Sequence, residues 1–128
     1  MGGYLIDSNI ISDYFSENLT QDFLDFLDPI FEKSPCLSII SQIELLSWKA
    51  DQSIESLIQE FISDSRVFEL SQEIISTCIA IRRNYSIKTP DAIIAATAIV
   101  EDLVLITKNI RDFSKIKGLR ILNTSDFV

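Results

Sequence analysis

Four acids stand out by where they fall in the chain. Asp7 closes "GYLID", Glu44 lies in "SQIELL", Asp91 in "TPDAIIAATA" and Asp112 in "LITKNIRDF". Each follows an aliphatic run or opens a stretch of helical periodicity, which separates them from the rest of the chain's 19 acids. With no histidine in the sequence, Ser-His-Asp and Cys-His catalysis and the zinc-protease motifs are excluded. Chemistry must then rest on carboxylates, hydroxyls, amides, Lys or Arg. Converging carboxylates repel, and one is driven to keep its proton unless a cation offsets the charge. An all-oxygen donor set favours a hard ion such as Mg2+ or Mn2+. Such an ion lowers the pKa of a bound water and stabilises charge on a phosphate, so the substrate class is a phosphodiester.

Taken singly, each acid also has a structural role. Asp7 suits a helix N-terminus. Ser41 and Glu44 are spaced as a capping box. Thr89, Pro90 and Asp91 read as the cap, first residue and first turn of a helix. Asp112 could be a surface acid on a short helix. The functional reading comes from the four together. Ser8, Asn9, Thr107 and Asn109 are polar neighbours able to hydrogen-bond a carboxylate or a bound water.

The elements that must position these acids alternate. "GYLID", "CLSII", "RVFEL", "LVLIT" and "LRIL" read as five strands. Between them, helical patterns cover "SNIISDYFS" (Ser8 as cap), "TQDFLDFLDPIFEK" (Pro29 as a break or kink), "SQIELLSWKA", "SIESLIQEFISDS", "SQEIISTCIAIRRNYS" and "TPDAIIAATAIVED". In the fifth of these, Ile74, Ile75, Cys78, Ile79 and Arg82 have the spacing of a buried face. Continuous aliphatic strands separated by helices predict a parallel sheet covered on both faces. Right-handed crossovers place every carboxyl end on one edge, where ligands bind in such folds. The Ala-rich helix after Asp91 is slim enough to approach the sheet and hold Asp91 near Asp7.

At 128 residues the chain fits one domain, taken as 1–128. No apolar run is long enough to span a membrane, and no signal peptide is visible. Cys36 and Cys78 sit in apolar stretches and read as free thiols, which places the protein in the reducing cytoplasm. The net charge is −8, unevenly spread: residues 1–65 carry −10 and residues 66–128 carry +2. Arg82, Arg83, Lys88, Lys108, Arg111 and Lys115 are candidates for nucleic-acid backbone contacts, although ordinary surface roles also fit each one. The acidic first half suits a basic partner better than a broad RNA surface.

In order and spacing, "YLIDSNIIS", "SIISQIELL", "TPDAIIAATAI" and "LVLITKNIRDF" followed by "GLRIL" resemble the blocks of the PIN-domain ribonucleases, and more narrowly the VapC toxins of toxin–antitoxin pairs. The likeness covers essentially the whole chain. It implies a three-layer α/β sandwich with a five-stranded parallel sheet and metal-dependent endonucleolytic cleavage of RNA. It further implies a homodimer and inhibition by an antitoxin encoded alongside. Asp7, Glu44, Asp91 and Asp112 take the family's metal-site positions. Many PIN domains carry an acid where Asn109 stands; here Asp112 is assigned as the fourth acid with Asn109 in support. Three alternatives remain at this point. One is a phosphoreceiver domain, which would want a second acid at the first strand and an Asp ending the third. The others are a PIN-like partner-binding module without activity and an RNA-processing nuclease without an antitoxin.

Overall fold

The structure is a computed structural model that describes residues 3–127; Met1, Gly2 and Val128 lie outside it. The aliphatic runs form β1 (Gly3–Ile6), β2 (Cys36–Ser38), β3 (Arg66–Phe68) and β4 (Leu103–Ile106). Around them run α1 (Ser8–Phe15), α2 (Gln21–Glu32), α3 (Ile39–Ser47), α4 (Gln52–Ser63), α5 (Gln72–Asn84), α6 (Thr89–Val100) and α7 (Ile110–Phe113). The strands make one parallel sheet in the order β3-β2-β1-β4.

Side chains alternate across a strand, so the sheet feeds two cores. Leu5 and Leu105 face a layer built on Ile74, Cys78, Ile81, Phe113 and the alanines of α6. Ile6 and Ile106 face the opposite layer, with Ile10, Leu27, Leu45 and Ile58. This is the expected three-layer arrangement. Both cysteines are free, Cys78 buried and Cys36 half-buried. No helix among the described residues is long and apolar enough to cross a membrane.

The sheet has four strands, not five. The expected fifth strand, "LRIL", makes a single parallel bridge, Ile121 beside Leu105. Arg120 O accepts from Leu105 N and Leu122 N donates to Leu105 O, both at 2.9 Å. Pairing stops there because the chain turns away. Asn123 Oδ1 accepts from Ser125 N, a 3-10 turn follows at Thr124–Phe127, and the Phe127 ring stacks on Phe23 at 4.8 Å.

Several helix starts also differ from expectation. Asp7, rather than Ser8, caps α1, accepting from Ser8 N. Ser38 caps α3 three residues before Ser41, so there is no capping box. Ser41 is buried inside the helix with an unbonded hydroxyl, and Glu44 stands in the second turn. Lys88 occupies the cap position of α6 without a side-chain bond, and Thr89 is the first helical residue. Pro29 does not break α2, which runs on to Glu32. On α5 the buried stripe is Ile74, Cys78 and Ile81. Ile79 is 53% exposed and Arg82 is exposed, because they lie on the neighbouring stripe of a 3.6-residue helix.

Candidate functional site

β1 and β4 pair in register from Gly3 with Leu103 to Ile6 with Ile106. Asp7 N extends the ladder to Ile106 O at 2.9 Å. Strand order reverses at this pair: from β1 the chain proceeds outward to β2 and β3, then returns to place β4 on the other side. The crevice beyond their carboxyl ends is therefore the switch point where parallel α/β sheets bind ligands. Asp7 and Thr107 sit on it, each directly after its strand.

Asp7 is only 5% exposed, and its bonds fix the carboxylate. Ser8 N donates to Oδ1 at 2.8 Å. Thr107 Oγ1 donates to Oδ2 at 2.7 Å, and Asn9 Nδ2 donates to the same oxygen at 3.2 Å. The Thr107 hydroxyl in turn accepts from Asn109 N at 3.0 Å. Asn9 Oδ1 accepts from Lys108 N at 3.3 Å. The loops after β1 and β4 are thus tied together through one hydroxyl and one amide.

The other three acids converge from separate helices. Glu44, exposed on α3, accepts from Ser8 Oγ at 2.8 Å. Asp91 is half-buried in the first turn of α6. Asp112, exposed on α7, accepts from Asn109 Nδ2 at 3.1 Å. Burial pushes the Asp7 carboxyl up; the Thr107 and Ser8 bonds oppose this, and the charges of Glu44 and Asp91 add to it. Burial also raises Asp91, followed by repulsion from Glu44 and Asp112, with Lys88 opposing. All four acids therefore share one electrostatic field.

The donor set fits a hard divalent ion in type and in charge. Two partly desolvated carboxylates are held near two more, and among the described residues none of the four is ion-paired with a base. Among those residues no group of acids forms a ready-made metal cage. Glu44 and Asp112 are instead hydrogen-bonded to Ser8 and Asn109. An ion would have to draw these outer acids inward.

Beside the acids lies a cavity of about 650 Å3. Arg82, Tyr85 and Lys88 line it from α5 and the loop after it, Asp91 from α6, Asn109 from the residue before α7 and Asp112 from α7. Of the candidate bases, Arg82 and Lys88 thus share a cavity with Asp91 and Asp112. Lys108 is ion-paired with Asp13, and Lys115 Nζ donates to Ser86 O at 2.6 Å. Arg83 and Arg111 are exposed and do not line the cavity. Sequence reasoning missed Asp13 as the partner of Lys108. It also missed Ser86 and Ile87, which join the cavity lining; no chemical pattern marks a Ser-Ile pair.

Two outcomes are expected from this geometry. Thr107→Val leaves Asp7 without its shortest bond and Asn109 N without its acceptor at a fully buried position. The cost is about 1–3 kcal/mol in urea unfolding. Mispositioning of Asp7 should also lower any metal affinity by roughly 10- to 100-fold in calorimetry. Asp91 gives a pH signature. Its folded pKa lies above the ordinary 3.8, so between the two values the folded state binds more protons than the unfolded chain. Stability therefore falls as pH rises through that window, and the cost is complete above the folded value. Asp91→Asn should raise the melting temperature of the metal-free protein at pH 7 by roughly 1–3 °C. The gain should vanish as pH falls towards 3.8; an equal gain at both pH values would contradict the assignment.

Residues 4–119 match the PIN-domain family, and the chain belongs to it. PIN domains are generally nucleases. Among solved structures, the chain is similar to a protein of a toxin–antitoxin complex from Klebsiella pneumoniae, at 30% identity and a TM-score of 0.76, covering 94% of this chain and 96% of that one. Its fold is also that of VapBC from Salmonella typhimurium bound to DNA, at 21% identity and a TM-score of 0.78, over 95% of this chain and 98% of that one. VapBC2 from Rickettsia felis, bound to a fragment of its promoter, gives 21% identity and 0.77 over the same shares. A comparison with curated protein sequences gives no match. The family match sets aside the phosphoreceiver alternative.

Proposed function

We propose that this chain is a VapC-type toxin, an endoribonuclease that depends on Mg2+ or Mn2+ and is held in check by an antitoxin. The observation that carries the reading is the buried Asp7 at the sheet's switch point, raised in pKa by burial and by Glu44 and Asp91. Asp7, Asp91 and Glu44 would hold the ion, and Asp112 would complete the site or orient the attacking water. When bound, the ion supplies an activated water near neutral pH and stabilises charge on the phosphate.

The chain's own residues do the rest. Thr107, Ser8 and Asn9 hold the Asp7 carboxylate in place. Ser8 and Asn109 steer Glu44 and Asp112. Arg82 and Lys88 attract the RNA backbone towards an acidic centre that would otherwise repel it. Hydrolysis forms a new P–O bond from water and breaks the bond to the 3′ oxygen, leaving a 5′-phosphate and a 3′-hydroxyl.

The acidic first half, at −10, favours an inhibitor that sets an Arg or Lys against the acids. Ile43 and Leu46, 54% and 51% exposed on the helix that carries Glu44, offer apolar surface beside them. The structural relatives, a toxin–antitoxin complex and two VapBC assemblies, support this partner, and a homodimer is part of the same reading. The test is RNA cleavage by the purified protein with Mg2+ or Mn2+ and after chelation. Cleavage that survives chelation, or none with either ion, would count against it.

A further inference from the structure

The two hollows beside the acids differ in chemistry. The larger carries Arg82, Lys88 and Tyr85 next to Asp91 and Asp112. The smaller, of about 280 Å3, is lined by Ser8, Asn9, Ser12, Glu44, Leu45 and Trp48 and holds no base. We infer that the larger cavity is a nucleotide subsite: it takes the nucleotide on one side of the cut phosphate, stacking its base on Tyr85 and pairing its phosphate with Arg82 and Lys88. RNA is then gripped on one side of the cleavage point and held only weakly on the other.

Three features carry this. The size is right, since pockets for small organic ligands span roughly 300–1,000 Å3. The Tyr85 ring is preorganised. It packs half-buried against the core, and its hydroxyl accepts from Lys117 N at 3.0 Å, so a base meets a ring that is already ordered. The Arg82 guanidinium is held too. Arg82 Nε donates to Ile87 O at 3.3 Å, and Lys115 fastens the same loop at Ser86 O. An aromatic platform beside a positive rim is the general arrangement for single-stranded nucleic acid. The smaller hollow lacks the rim.

The inference rests on the nuclease reading only for the position of the cut; binding can be measured without cleavage. The probe is a fluorescent single-stranded RNA titrated into the full chain in a metal-free buffer, followed by anisotropy. Tyr85→Leu keeps apolar packing and removes the stacking face, and should weaken binding by roughly five- to a hundredfold. Tyr85→Phe keeps the stacking ring but gives up the Lys117 bond, and should lose clearly less affinity than Tyr85→Leu. Arg82→Gln should reduce the slope of log affinity against log salt by about 0.7. RNAs shortened from one end should lose affinity well before those shortened from the other. Circular-dichroism melting identifies a variant that fails to fold, and Tyr85→Phe covers that case: binding by a folded Tyr85→Phe as weak as that of a folded Tyr85→Leu would overturn the stacking role. Wild-type binding by a folded Tyr85→Leu, or equal loss from both ends, would overturn the subsite. RNA binding that needs Tyr85 without any metal-dependent cleavage would sink the nuclease reading and keep the subsite.

Discussion

The Asp7→Asn protein should fold and lose metal-dependent RNA cleavage by at least about 10²-fold. Folding should survive because asparagine caps a helix about as well as aspartate, and its side-chain oxygen can still accept from Ser8 N. The burial that pushes Asp7 up is also relieved when the charge is removed. Metal binding should not survive. A hard ion needs deprotonated oxygen ligands, and Asp7 is the most buried of the four acids, with both oxygens held in place. Two measurements separate these effects. Metal should raise the wild-type melting temperature by mass action and leave that of the mutant nearly unchanged. Cleavage should need the ion in the wild type and be close to absent in the mutant. A folded mutant that cuts RNA at the wild-type rate would refute the site.

Much of this site could be read from the residues alone, because strand ends and helix starts are local patterns. "LVLIT" and "GYLID" are continuous aliphatic runs, and such runs in a buried parallel sheet leave little ambiguity about where they stop. That places Asp7 and Thr107 at the ends of their strands, and Asp91 at a helix start. The cap residues were less legible. Several residues able to cap cluster at each strand-to-helix junction, and choosing among Ser38 and Ser41, or Asp7 and Ser8, depends on where the strand releases the chain. "LRIL" failed as a strand for a related reason: whether it pairs beyond one bridge depends on where Phe127 packs, and that is a tertiary matter. The bonds that organise the site were beyond any local pattern. Ser8 and Glu44 are 36 residues apart, and Thr107 and Asp7 are 100 apart. Their residue types suggested support for the acids, but not which oxygen each would hold.

The largest loss of stability is expected from Phe113→Ala, and it should reach the site as well. Phe113 is fully buried and the largest side chain so placed. It packs in the core shared with α5 and α6, and truncating a buried phenylalanine costs about 3–5 kcal/mol, part of it from the cavity left behind. That is a large share of the 5–15 kcal/mol typical of a folded domain. The local effect should exceed the global one. Helix α7 has four residues, too short to persist on its own hydrogen bonds. Phe113 and the nearby Ile116, 3% exposed, anchor the segment to the core. Losing the ring frees the turn that carries Asp112 and the preceding Asn109. Metal binding and RNA cleavage should then fall at temperatures where far-UV circular dichroism still reports a folded protein. Phe113→Leu, which refills most of the space, should cost less than about 1.5 kcal/mol and keep most of the activity. If Phe113→Ala lost less than about 1 kcal/mol in urea unfolding, or kept full metal affinity, α7 would have to be held by something other than this ring.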